Sequence, residues 1–293
     1  MPVADLRPMS LGEVLDRTFN LYKGYFWLFA GISALPYLLI FIIQMATSTV
    51  RYASGGGGAK APVGTHPAVV PSAGYLSGIF GGLLIFIVVY LILIAIVHAA
   101  TVFAVSDLYL GKPASIREAF RRVRGKVPTL VGVGILNALI VGAGFILLII
   151  PGIIFACRVA VAVPAAMLEG ESASAAVGRS WELTKDFTGE IFLIGLLVAV
   201  MSWIVSAIFQ VPFMFMAGSI TKPHQLPFGL AVLQHLGSFI AQVLVGPIGT
   251  IAYSLMYYNL RVRKEAFDLQ HLMASLEPSS PPDAQLPGAP STA

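Results

Sequence analysis

The chain has 293 residues, of which 57% are hydrophobic and 11% charged, against roughly a quarter charged in soluble domains. A mean hydropathy of +0.85 and uncharged runs over 24–50, 61–106, 127–157, 191–221 and 223–260, each longer than the roughly 20 residues of a bilayer crossing, exclude a soluble globular fold and predict an all-α polytopic transmembrane helical bundle. The net charge of +4 is spread along one membrane face without interleaved aromatics, which argues against a nucleic-acid partner. Strict apolar and polar alternation, the mark of a membrane β-barrel, is missing.

A short amphipathic helix comes first, started by Ser10 with Glu13 in a capping box. The first span is predicted over 25–49; it lies too far into the chain and runs too long for a cleaved signal core. Residues 54–73, rich in Gly, Ala and Pro, read as a flexible external loop, and the second span covers 77–106. A second amphipathic helix begins at Ser115 with Glu118 in the same capping pattern and carries Arg117, Arg121, Arg122 and Lys126 on its polar face. The next apolar run is divided at Ile150, Pro151 and Gly152, where proline cannot donate and glycine accepts a turn, giving spans over 127–150 and 153–168. The latter reaches only about 24 Å, so its tip is expected to be shielded by other helices, or the pair to be re-entrant. A third amphipathic segment begins at Ser172 with Ala175 in the acid position, followed by spans over 191–215 and 228–260. Residues 1–265 are thus one integral membrane domain and 266–293 a cytoplasmic tail, disordered from about 275 on its proline-rich composition.

The three amphipathic segments are repeats. Ser10 with Arg17, Ser115 with Arg122 and Ser172 with Arg179 share a seven-residue spacing. Aligned on the arginines, Leu11, Ile116 and Ala173 coincide, as do Val14, Ala119 and Ala176, then Leu15, Phe120 and Val177, then Thr18, Val123 and Ser180. That i, i+3, i+4, i+7 pattern is helical. Each unit is an interfacial helix followed by a hairpin of two spans, and each interfacial helix is expected to lie with apolar side chains in the acyl boundary and basic ones at headgroups. Basic residues gather before the first span, between the second and third, between the fourth and fifth, and after the sixth; only Arg51, Lys60 and Lys222 fall on the other side. Both termini and all three interfacial helices are therefore predicted to be cytoplasmic.

Arg17, Arg122 and Arg179 are the candidate lipid headgroup contacts, to anionic lipid above all. Arg158, the only charge between Lys126 and Glu169, is the candidate intramembrane polar site, with Glu190 as its partner. It either snorkels toward the outer headgroups in a structural role or binds an anion. His98 and His235 stand alone among apolar neighbours and, with Asn137 and Gln210, are expected to hydrogen-bond between helices. Cys157 is the single cysteine and reads as a packing thiol. Glycines before Lys60 do not match a phosphate-binding loop, and no Gly-x-Ser-x-Gly, His-Glu-x-x-His or Cys-x-x-Cys occurs. No catalytic residue, metal site or cofactor is expected.

The opening RPMSLGEVLDRTFNLYKGYFW, the middle IIPGIIFACRVAVAVPAAMLEGESASAAVGRSWELTK and the six apolar spans resemble the glycerophosphoryl diester phosphodiesterase membrane-domain family, over most of residues 7–262. The resemblance implies a multi-pass protein of the bacterial inner membrane, of a kind fused in some proteins to a soluble phosphodiesterase. This chain has no segment that could form such a catalytic barrel. The expected function is a non-enzymatic membrane module organising lipid or a partner protein, with membrane lipids and either a protein partner or a second copy as its contacts. The alternative is a small-molecule or lipid transporter or channel, motivated by the repeats and by Pro36, Pro164, Pro212 and the Gly246, Pro247, Gly249 cluster interrupting spans.

Overall fold

The structure, a computed structural model, describes residues 7–53, 73–219 and 228–265. The loop expected before residue 73, the tail from 266, and Lys60, His66, Lys222, His224 and His271 lie outside the described residues. Among those described, every regular element is a helix: α1 (Leu11–Gly24), α2 (Phe26–Ala53), α3 (Ala73–Tyr109), α4 (Ile116–Arg124), α5 (Val127–Leu147), α6 (Ile149–Arg158), α7 (Ala162–Glu169), α8 (Ala173–Thr184), α9 (Thr188–Ser219) and α10 (Phe228–Glu265). Six stretches are long and apolar enough to cross a membrane: Phe26–Val50, Leu84–Tyr109, Val127–Leu147, Ile149–Glu169, Thr188–Phe213 and Phe228–Glu265. The protein is an all-α polytopic bundle.

The repeat register holds at atomic detail. The hydroxyls of Ser10, Ser115 and Ser172 accept from the backbone N–H of Glu13, Glu118 and Ala175 at 3.4, 3.3 and 3.4 Å, so α1, α4 and α8 start in the same frame. Only the first copy closes the capping box, with the Ser10 N–H donating to Glu13 Oε2 at 2.7 Å. Val14 with Thr18, Ala119 with Val123, and Ala176 with Ser180 are all buried. The surface that buries them is protein. The expectation of apolar faces resting in acyl chains is corrected: α4 rests on α3, α8 on α7 and α5, and α1 chiefly on α10. The physical reason is that small inward residues such as Ala119, Ala176 and Ser180 allow a close approach to a neighbouring helix. Each interfacial helix thus docks on the second span of the preceding hairpin, and α1 docks on the last span of the chain, closing the three units into a ring. Inside it α3, α7 and α10 touch one another pairwise, and the Ser106 and Tyr258 hydroxyls hydrogen-bond at 2.7 Å across the α3–α10 contact.

Proline chemistry places two breaks differently from the sequence expectation. The hairpin turns at Leu148, not at 150–152, and Pro151 sits in the first turn of α6. A helix's first turn has no intrahelical use for its N–H groups, so proline is tolerated there and marks the turn just before it. The fourth span therefore starts at Ile149, four residues earlier than expected, and runs over 21 residues to Glu169. It is then broken between α6 and α7. Pro164, in the first turn of α7, cannot donate to the carbonyl of Ala160 and its ring would crowd that carbonyl in a continuous helix. The Arg158 carbonyl, also freed, is taken by the hydroxyls of Ser180 at 2.7 Å and Thr184 at 3.2 Å, which is how irregular backbone is accommodated at membrane depth. Pro36, Pro212 and Pro247, by contrast, lie inside helices that run on through them. The α5–α6 hairpin is tight: a Cβ on Gly144 would lie 2.8 Å from Gly152 Cα.

Candidate functional site

Among the described residues the ion pairs collect at one end of the bundle, where α3, α7 and α10 finish beneath the interfacial helices. At the first dock Arg122 Nη1 donates to both Asp107 oxygens at 2.9 Å, and its guanidinium lies 4.3 Å from the Phe103 ring centroid. At the second, Arg179 Nε donates to Glu169 at 3.1 and 3.3 Å while Nη2 pairs with Glu265. Arg261 donates to Glu265 at 3.1 Å, and the Tyr257 hydroxyl donates to Glu169 at 2.6 Å. Burial opposes the charge on Arg179, but its bonds to Glu265 and Glu169 more than offset that, and the guanidinium pKa is raised. At the third dock an amide replaces the ion pair: the Met9 N–H donates to Asn259 Oδ1 at 2.8 Å and Asn259 Nδ2 donates to the Met9 carbonyl at 3.1 Å. Arg17, the third repeat arginine, stands 4.9 Å over the Tyr109 ring with Nη1 3.7 Å from Met9 Sδ.

All three repeat arginines thus have partners at the docks, Arg17 and Arg179 half-buried and Arg122 exposed. Arg158 and Glu190 are not brought together. Glu190 accepts from Arg263 at 2.9 Å, because α10 continues past residue 260 and carries its basic residues beside the start of α9. Arg158 donates to the Trp181 carbonyl at 3.4 Å, with its guanidinium 5.8 Å from the Trp181 ring. It therefore lies against α8, on the side of the interfacial helices rather than toward the outer headgroups. His235 does bond between helices, with Nε2 2.9 Å from Ser48 Oγ. Asn137 Oδ1 is instead buried with no hydrogen-bond partner, and Gln210 is exposed. Cys157 is buried.

What remains outward on the interfacial helices is unequal. Arg117, Arg121 and Arg124, spaced i, i+4, i+7, are all exposed on one face of α4, with Lys112 exposed just before it. Glu118 is the acid of this helix and pairs with Arg121 at 2.7 Å; Arg117 and Arg124 have no ion pair among the described residues. The outward side of α1 mixes Glu13, Asp16 and Lys23, and that of α8 has Glu182 with Lys185 following. Asp186 beyond α8 is paired with Lys264 at 2.8 Å, and that hydrogen bond holds its carboxyl below the usual range. Among the described residues no three His, Cys, Asp or Glu side chains converge as a metal ion would require.

Asp107, Glu169, Tyr257, Asn259, Arg261, Arg263 and Glu265 escaped the sequence reading as partners. A signal was present: an acid closes the second span of the first two hairpins, shortly before the next repeat arginine.

Fold and site together define a six-span helical membrane protein whose ion pairs hold its interfacial helices in place and whose α4 leaves a row of arginines facing outward. Comparison with protein-family models, with curated proteins and with solved structures gives no match.

Proposed function

We propose that this chain is a non-enzymatic module of a bacterial inner membrane, with cytoplasmic termini, that holds anionic lipid headgroups against its cytoplasmic face through α4. The observation that carries the reading is the outward row of Arg117, Arg121 and Arg124, which has one acid to balance it. Guanidinium groups suit phosphate through paired donors, and a basic residue near an anionic membrane surface contributes about 1 kcal/mol. The excess of basic residues at this end supports a cytoplasmic location, and the resemblance to the glycerophosphoryl diester phosphodiesterase membrane domain supports a bacterial inner membrane.

The test is retention of phosphatidylglycerol over phosphatidylcholine by the purified protein in mixed nanodiscs, read by native mass spectrometry. Replacing Arg117, Arg121 and Arg124 together by glutamine removes about 3 kcal/mol, a preference of about a hundredfold. An unchanged phosphatidylglycerol preference in that variant overturns the reading.

A further inference from the structure

A half-open cavity of about 270 Å³ is formed between α3, the α6–α7 break, α9 and α10. Its lining residues His98, Ala160, Ser202 and Tyr253 stand eleven residues before Tyr109, nine before Glu169, fourteen after Thr188 and eight before Arg261. At 1.5 Å per residue they are about 12 to 21 Å from the polar end of the bundle, near the middle of a roughly 30 Å hydrocarbon core.

Four polar groups around this space have no partner among the described residues. The His98 imidazole and the hydroxyls of Tyr253 and Thr250 make no hydrogen bond, whereas the Ser202 hydroxyl is bonded to the Val198 carbonyl of its own helix at 2.6 Å. The Ala160 carbonyl has lost its helical donor to Pro164, and none of the turn hydrogen bonds replaces it. A buried polar group left unpaired costs more than a made bond gains, so a space ringed by four such groups is suited to a ligand that bonds them. The ligand is uncharged, because no Asp, Glu, Lys or Arg lines the cavity and a charge there would stand unpaired in a medium of low dielectric. It both donates and accepts, because a carbonyl can only accept and the imidazole and phenol can do either. The rest of it is apolar, to match Val102, Val163, Val198 and Val245.

We propose that the cavity binds a neutral lipid alcohol, its hydroxyl meeting His98 and the Ala160 carbonyl and its chain lying along the valine walls. The site is separate from the α4 arginines, and either can fail without the other.

The test uses the protein in nanodiscs with three photoactivatable diazirine probes of equal chain length: decanol, decane and decanoate. The expected result is labelling of peptides carrying His98, Val163 or Ser202 by the decanol probe, at about ten times the level of the other two. Unlabelled decanol should displace it, while decane and decanoate should not. His98→Leu should bring decanol down to the decane level, His98→Gln should retain the preference, and Ala160→Phe should close the cavity to all three. Thermal unfolding of each variant confirms that it is folded, and the competition needs no variant. Equal labelling by decanol and decane overturns the proposal, as does labelling confined to outward residues such as Leu84 and Leu91, or a preference that survives His98→Leu in a folded protein. An absence of label from the lining, as for a cavity holding only water, overturns it as well.

Discussion

Replacing Arg179 by methionine tests whether the second dock is held electrostatically. The change leaves Glu169 and Glu265 near each other with Arg261 as the cation still beside both. Exposed ion pairs contribute about 0–1 kcal/mol, and breaking a buried one costs about 3–5 kcal/mol. The side chains of Arg179 and Glu169 are 24% and 16% exposed, which places Arg179→Met between those limits, at about 2–3 kcal/mol. Glu169→Gln should cost less, because Arg179 keeps Glu265. If the two residues act through each other, the double variant will fall short of the sum by about 1–2 kcal/mol. The assay is equilibrium unfolding in mixed micelles, followed by the fluorescence of Trp181, on α8 two residues from Arg179, with Trp27 and Trp203 replaced by phenylalanine throughout. A cost under about 1 kcal/mol for Arg179→Met, or strict additivity in the double variant, would refute the account.

Ser10→Ala, Ser115→Ala and Ser172→Ala should each cost about 1 kcal/mol; the same unfolding measurement checks this, and a cap that is silent in one copy would show that the repeats are not equivalent. The Glu13 carboxyl is held below its ordinary pKa, chiefly by the backbone N–H of Ser10 and next by Arg7. A depressed acid stabilises the folded state above its unfolded pKa, so the start of α1 should lose hydrogen-exchange protection as pH falls through the folded pKa, and Glu13→Gln should remove that dependence. Gly144→Val should destabilise the α5–α6 hairpin by about 1–3 kcal/mol, since its Cβ would meet Gly152 backbone and the Phe155 ring at 2.8 Å; a neutral effect on thermal unfolding would mean the helices can part.

Architecture was legible in the sequence because it rests on local rules. Ser and Arg seven residues apart set a cap and an inward face on the same helix, and hydrophobic run length sets the spans. Partner choice was not local. Glu169 closes α7, eleven residues past Arg158 at the end of α6, and its partners come instead from α8 and from α10. Glu190 was assigned to Arg158 as a charge at a span end, before the length of α10 brought Arg263 to it. The prolines carried the right information in the wrong place: Pro151 and Pro164 each stand three residues into a new helix, and the break lies before them. The repeat arginines were read as facing lipid because an amphipathic helix at a bilayer surface has two candidate partners for its charged rim, and composition does not say which neighbour carries a carboxylate.

The ring has one joint unlike the others. When α4 and α8 emerge during synthesis, the spans they dock on are already made. The first helix has to wait, because its seat is α10 and the clamp on Met9 is built from Asn259 and Arg263. Through five earlier spans Val14 and Thr18 therefore lack their main cover, which α10 supplies. A polypeptide cut short before α10 would therefore leave the apolar face of α1 without its principal seat.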